Sequence, residues 1–214
     1  MADAFELAEK YRTPVFILAD GTLGQAMEPV ELHFREPARP AADWAATGAH
    51  GRPPRVVKSM HLAPEDLEVH NRHLQAKFAE ISAREVRWAG ENLDDAELVI
   101  VAYGTAARVA RTAISRARDD ALRVGLFRPI TLWPFPSAAL AEVAARARGV
   151  LCVELSAGQM VEDVRLAVEG RTPVAFEGRT GGMVPTPGEV VDALRRLRGA
   201  ITAAPADPMI GDRP

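Results

Sequence analysis

Apolar positions in the second half of the chain fall into a repeating cadence. The strings VAYGTAARVARTAI (101–114), VGLFRPITLWPFP (124–136), LCVELSAGQMVEDVRLAV (151–168) and EGRTGGMVPTP (177–187) each set a strand end beside a glycine- or proline-marked loop. Three of these loops lead into an amphipathic helix. Strands are predicted near 98–102, 123–127, 150–155 and 173–176, and helices near 105–118, 137–148, 159–169 and 188–198. In 105–118 the residues Ala106, Val109, Ala110, Ala113, Ile114 and Ala117 recur at three- and four-residue offsets, so they share one face. Arg108, Arg111 and Arg118 fall on the other side and are expected to be solvated. Burying each large aliphatic contributes roughly 1.5–3 kcal/mol before entropy, so packing alone accounts for the stripes. The alternation predicts an α/β fold, an open, mostly parallel sheet with helices on both faces, whose loops gather at one edge.

The first half of the chain is patterned differently. Residues 2–12 look helical, and the apolar run Val15-Phe16-Ile17-Leu18-Ala19 reads as a buried strand. A strand of that kind needs neighbours on both hydrogen-bonding edges. The chain is therefore expected to begin in the middle of a sheet whose other strands lie elsewhere. Residues 35–62 hold Pro37, Pro40, Pro53, Pro54, Gly48 and Gly51 without periodicity and read as a connector. Pro64, Glu65 and Asp66 open a helix whose residues Leu67, Leu74, Phe78 and Ile81 keep helical spacing to about Arg84. The expected organisation is an incomplete helix–strand remnant (1–34), the connector (35–62), one α/β domain (63–200) and a flexible tail (201–214).

Composition narrows the class. With 214 residues and 48 % hydrophobic content the chain can bury one substantial core. A formal charge of −3 gives no footprint for nucleic acid, and no apolar stretch is long enough to span a membrane. The N-terminus lacks the marks of a signal peptide, so the expected compartment is the cytoplasm. Cys152 is the single cysteine, so no iron–sulfur cluster can be held by cysteines of this chain alone. Inside VLCVEL it is expected to be a buried, inert thiol.

The search for chemistry returns few candidates. No G-x-G-x-x-G or G-x-x-x-x-G-K-[ST] string occurs, which disfavours a dinucleotide or nucleoside-triphosphate site. Ser156 lacks the first glycine of a nucleophile elbow, and all five histidines precede residue 74, so it reads as a loop or N-cap hydroxyl. His70 and His73 could share a helix face, but no partner set completes a metal site, and they read as exposed. What remains are four strand-end groups: Tyr103 with Gly104 and Thr105, Arg128 with Pro129, Glu154 with Gln159, and Arg179 with Thr180, Gly181 and Gly182. Parallel topology is expected to bring Arg128, Glu154 and Arg179 together, either as an anion site or, the favoured reading, as an inter-subunit salt-bridge and loop-packing surface.

The four strings, with YRTPVFILADGTLGQAMEPVEL and HLAPEDLEVHNRHLQAKFAEI upstream, resemble the alpha subunit of 2-oxoacid:ferredoxin oxidoreductases, nearest the branched-chain (2-oxoisovalerate) type. The resemblance runs from Ala4 to Leu197 and matches only the C-terminal part of that subunit. It implies that residues 98–198 are similar to the transketolase C-terminal domain. It also implies that 1–34 closes an otherwise missing thiamine-pyrimidine domain, where the activating glutamate belongs. The GDG pyrophosphate signature is absent, and Gly211-Asp212-Arg213 does not supply it. The implied reaction is oxidative decarboxylation of a 2-oxoacid to an acyl-coenzyme A, with two electrons passed to ferredoxin. This chain would act as scaffold and interface, with Asp20, Gly21, Gln25 and Glu28 walling the active-site approach. No catalytic residue and no metal ligand is assigned to it. It is expected to bind no cofactor alone, while thiamine diphosphate, Mg and iron–sulfur clusters belong to the complete complex. The expected partners are the other subunits, including the beta subunit, and ferredoxin through them. A truncated or split subunit is thus the first reading. An autonomous, non-catalytic binding or assembly module of the same fold is the alternative.

Overall fold

A computed structural model of the chain describes residues 2–31 and 44–203. Pro37, Pro40, most of the expected tail and Gly211–Arg213 lie outside the described residues. The chain divides into two units, Met1–Leu18 with Ala26–Ile81, and Ala19–Gln25 with Ser82–Pro214.

The second unit carries the cadence predicted above. Strands β1 (Trp88–Glu91), β2 (Leu98–Val101), β3 (Val124–Pro129), β4 (Gly149–Glu154) and β5 (Val174–Gly178) form one sheet in the order β1-β3-β2-β4-β5. All neighbours are parallel except β1, which runs antiparallel to β3 with Trp88 opposite Pro129 and Glu91 opposite Leu126. Strand side chains alternate between faces. Leu98, Ile100, Val124, Leu126, Leu151 and Val153 pack beneath helices α4 (Gly104–Asp119) and α7 (Pro187–Ala203). Val99, Val101, Phe127, Val150 and Cys152 face α5 (Ser137–Ala144) and α6 (Met160–Val168). A sheet covered on both faces needs apolar residues at successive positions, which is why LVIV and VLCV show no polar alternation.

The edge strand β1 was not anticipated. It is held by the stacking of Trp88 on Phe127 (4.7 Å between centroids, 11° between planes) and by arginines of α4. Arg111 chelates the Glu91 carboxylate from Nε (2.9 and 3.0 Å) and from its Nη2 (2.6 Å). Arg118 donates from Nε to the Val124 carbonyl (2.8 Å), from Nη2 to the Asn92 carbonyl (3.1 Å), and to Asp95. The expectation that these arginines form a merely solvated face is therefore corrected. They sit off the apolar stripe, yet they reach sideways to stitch β1 and its following loop to α4.

Among the described residues of the first unit, α1 (Ala2–Tyr11) and α3 (Pro64–Arg84) are the helices, and Tyr11 and Ile81 are the buried hydrophobics. The Trp44 indole donates to the Glu9 carbonyl (3.2 Å), and Lys77 donates to the Arg12 carbonyl (3.4 Å). His70 stacks on His61 at 4.7 Å, whereas His73 is exposed. The strand expected at 15–19 is not formed. The segment lies outside any helix or strand and has no partner strand among the described residues, and Phe16, Ile17 and Leu18 stand exposed. The physical reason is the one that made the prediction conditional, since a strand apolar on both faces has no ladder to join here. Besides the short Ala19–Gln25 stretch that joins the second unit, the division falls between Ile81 and Ser82, inside α3.

Candidate functional site

Each of the strand-end groups lies at the carboxyl edge of β2–β5, where α4, α6 and α7 begin. A helix start leaves backbone N–H groups without intrahelical acceptors. At this edge acidic side chains supply them.

Tyr103, at the N-cap of α4, offers no side-chain cap. The cap comes instead from Asp20, which precedes the short helix α2 (Gly21–Gln25). Asp20 accepts the backbone N–H of Leu23 at 2.8 Å, and further bonds from Thr22 and from the amide and hydroxyl of Thr105. Burial pushes the Asp20 carboxyl up, but these hydrogen bonds outweigh it and hold the group below its usual range. Gly104 adopts φ +56°, and a Cβ there would stand 3.6 Å from an Asp20 oxygen. Tyr103 is half-buried. Burial, together with the Glu154, Cys152 and Asp20 charges, raises its hydroxyl.

Glu154 caps α6 from the end of β4. Only 2 % of the residue is exposed. Its carboxylate accepts the backbone N–H groups of Gln159 (3.2 Å), Met160 (3.0 Å) and Val161 (2.9 Å), and the Ser156 hydroxyl (3.0 Å). The Gly158 N–H closes the loop on Ser156 at 3.0 Å. Ser156 thus bridges loop and cap, while the exposed Gln159 contributes its backbone N–H. Cys152 is fully buried two residues upstream, and burial first, then Glu154, pushes its thiol far up, as befits an inert sulfur.

α7 begins with a capping box, T-P-G-E. Glu189 accepts the Thr186 N–H (2.7 Å) and hydroxyl (3.0 Å), and the Glu189 N–H reaches back to the Thr186 oxygen (3.3 Å). Pro187 at the first helical position suits this start. Arg179 pairs with the same Glu189 carboxylate, and its backbone N–H donates to the Glu154 carbonyl at 3.1 Å. Thr180 and Gly181 turn out to solvent, with Gly181 at φ +65° and Gly182 at φ +83°.

The expected meeting of Arg128, Glu154 and Arg179 does not occur. Two strands separate β3 from β5, which places Arg128 and Arg179 about 14 Å apart at ordinary strand spacing. Arg128 shares the α4/α7 face with Val124 and Leu126, whereas Glu154 alternates with Val153 onto the α6 face. Asp20 does lie against Gly104 and Thr105, and Gly21 and Gln25 share the second unit with it, while Glu28 belongs to the first. Arg128 and Arg179 each keep a buried Nε without a hydrogen-bond partner. Pattern reading missed Asp20 as a helix cap and Glu189 as the partner of Arg179. The T-P-G-E string was the available signal for the latter.

Chemically this edge is a set of satisfied caps. Asp20, Glu154 and Glu189 are committed to backbone and hydroxyl donors, and no group of three or more His, Cys, Asp or Glu able to hold a metal occurs among the described residues. The residues present therefore do not fit a site that would bind or activate thiamine diphosphate.

Residues 96–190 match the protein family described as pyruvate:ferredoxin oxidoreductase core domain II. The ketoisovalerate oxidoreductase subunit VorB of Methanothermobacter marburgensis is 45 % identical over 199 residues, covering 92 % of this chain and 55 % of its own length. The 2-oxoglutarate synthase subunit KorA of the same organism is 29 % identical, covering 91 % and 59 %. The chain thus spans about half the length of these relatives. Among solved structures, 2-oxoglutarate:ferredoxin oxidoreductase from Magnetococcus marinus superposes with a TM-score of 0.57 at 23 % identity, covering 75 % of this chain and 28 % of that one, a likeness of fold.

Proposed function

We propose, from the match of residues 96–190 to the family described as pyruvate:ferredoxin oxidoreductase core domain II, that this chain is the C-terminal part of an alpha-type subunit of a 2-oxoacid:ferredoxin oxidoreductase. It serves there as scaffold and subunit interface. The observation that carries this reading is 45 % identity along almost the whole chain to a subunit nearly twice as long. The capped edge supports it, since carboxylates held by backbone donors position loops rather than move protons.

The complete assembly would convert a 2-oxoacid and coenzyme A into an acyl-coenzyme A and carbon dioxide. The two electrons released would pass to ferredoxin, with a branched 2-oxoacid as the preferred class. Thiamine diphosphate, Mg and the iron–sulfur clusters would reside on the remaining polypeptides, including a beta subunit. Among the described residues no helix is long and apolar enough to cross a membrane, in keeping with an assembly that works in the cytoplasm.

The purified chain is expected to show no 2-oxoacid-dependent ferredoxin reduction with thiamine diphosphate, coenzyme A and Mg supplied. Activity is expected once the remaining subunits are coexpressed and copurify with it. Turnover by the chain alone would refute this role.

A further inference from the structure

The sheet ends at β5, whose outer edge carries no strand among the described residues. Two hydrogen bonds set which of its peptide groups look outward. The Val150 N–H donates to the Pro173 carbonyl (2.9 Å), and the Arg179 N–H donates to the Glu154 carbonyl (3.1 Å). Alternate residues of a parallel strand bond to the same neighbour, so Ala175 and Glu177 also turn their peptide groups to β4. Val174, Phe176 and Gly178 turn theirs away from β4, and no described residue answers them. Edge strands that stay single are blunted by a lysine, a bulge or a proline in the open row. V-A-F-E-G contains neither lysine nor proline, and its register against β4 runs unbroken. The side chains divide between the two faces. Val174 and Phe176 lie on the α6 side, and Ala175 lies on the α7 side, where the Arg196 guanidinium donates to Glu177 at 2.8 Å. The Phe176 ring leans over Gly178, since a Cβ at Gly178 would stand 2.3 Å from the end of that ring.

We propose that β5 pairs antiparallel with β5 of a second copy of this chain, about a two-fold axis beside Phe176, so that the two sheets become one. Self-complementarity selects this occupant, as a two-fold contact requires of a single patch. With Phe176 opposite its own counterpart, Val174 stands opposite Gly178 of the second copy, and every outward N–H meets an outward carbonyl. On the α6 side Val174 of one copy arrives beside the glycine over which the other copy's Phe176 ring leans, an apolar cross-strand contact made twice. On the α7 side each Glu177 faces the small Ala175, which leaves room for the carboxylate and its Arg196. The two Glu177 carboxylates are then diagonal rather than opposed, and each keeps its own guanidinium. A pairing of five residues is small beside a standard protein interface, so the dimer is expected to dissociate at roughly micromolar concentration or above.

The test follows the mass of the whole chain by sedimentation equilibrium from about 1 µM to about 1 mM, with amide hydrogen exchange read at both ends of the range. The expected result is a doubling of mass. It should be accompanied by roughly tenfold or greater slowing at the amides of Val174, Phe176 and Gly178, while those of Ala175 and Glu177 are already slow in the monomer. Val174→Pro removes one outward N–H, lost twice by symmetry, and leaves the bonds to β4 intact. It should raise the dissociation constant at least about tenfold and keep a cooperative thermal transition when dilute. Under mild oxidation Phe176→Cys should yield a covalent dimer. Ala175→Cys should not, because the two copies of that position lie about 8 Å apart, beyond disulfide reach. A monomer across the whole range overturns the proposal, as does a dimer whose outward amides exchange freely or cross-links at Ala175 instead of Phe176. Protection already present in the monomer and lost when the chain ends at Ala203 would make the C-terminal residues the occupant instead. Protection that arises only on coexpression with other subunits would make one of them the occupant and likewise overturn the second copy. The subunit role above stands under every one of these outcomes.

Discussion

Glu154 places a carboxylate where water hardly reaches, and the arrangement is stable because its oxygens are answered by three backbone N–H groups and a hydroxyl. Removing the side chain would leave those donors buried and a void behind them. Glu154→Ala is therefore expected to lower stability by about 2–4 kcal/mol, seen as a shifted urea midpoint at unchanged slope. Glu154→Gln should cost less, since one oxygen still accepts while the amide N–H₂ faces donors. The exposed carboxylates make a separate, pH-dependent contribution. Hydrogen bonds from Arg111 hold the Glu91 carboxyl below its usual range, and those from the Thr186 backbone and hydroxyl do the same for Glu189. A carboxyl whose folded value is depressed contributes its stability in full above the unfolded value, and loses it as pH falls through the folded one. Thermal stability should be level above roughly pH 5 and decline below about pH 4. In Glu91→Gln the decline should be shallower, and a decline of unchanged steepness would remove the Glu91–Arg111 pair as its cause.

At the scale of elements, what could be read in advance depended on how strongly burial writes itself into the chain. Strands β2–β5 and helices α4–α7 were legible because each buries a stripe or a run, and a core leaves little choice of residue type. Strand β1 left no such trace, since the four residues WAGE alternate half-buried with exposed and are held by partners distant in sequence. Face parity was equally invisible. Placing Arg128, Glu154 and Arg179 at strand ends followed from pattern, but their separation required the strand order and the alternation of each side chain. Gly125 on β3 shows how closely β1 and its loop approach, as a Cβ there would lie 2.6 Å from the Asn92 carbonyl oxygen and 2.9 Å from Leu93. The nearer atom is backbone and cannot rotate away. Gly125→Ala should cost roughly 1–3 kcal/mol and loosen β1 first. The expected signs are faster amide exchange in 88–91 and a wavelength shift in Trp88 fluorescence, with β4 and β5 unaffected. Uniform loosening of the whole sheet would mean that β1 is integral to the core rather than laid upon its edge.

For the molecule as a whole, the position of the division decides what can fold alone. Both hydrophobic cores are built from residues between Leu98 and Leu197, and within α3 the buried residue is Ile81, on the first unit's side of the division. A chain starting at Ser82 therefore retains every strand and all the helices that cover them. It loses one thing of structural consequence, the Ala19–Gln25 turn whose Asp20 caps α4. An N-cap carboxylate is worth about 1 kcal/mol. The shortened chain should unfold cooperatively, about 1 kcal/mol less stable than the same transition in the full chain, and Asp20→Ala in the full chain should reproduce that deficit. If the shortened chain loses much more than Asp20→Ala does, the first 81 residues support the sheet by contacts beyond the cap. If it does not fold at all, the two units are thermodynamically one. Equal deficits would mean that the first unit adds nothing else to the stability of this domain.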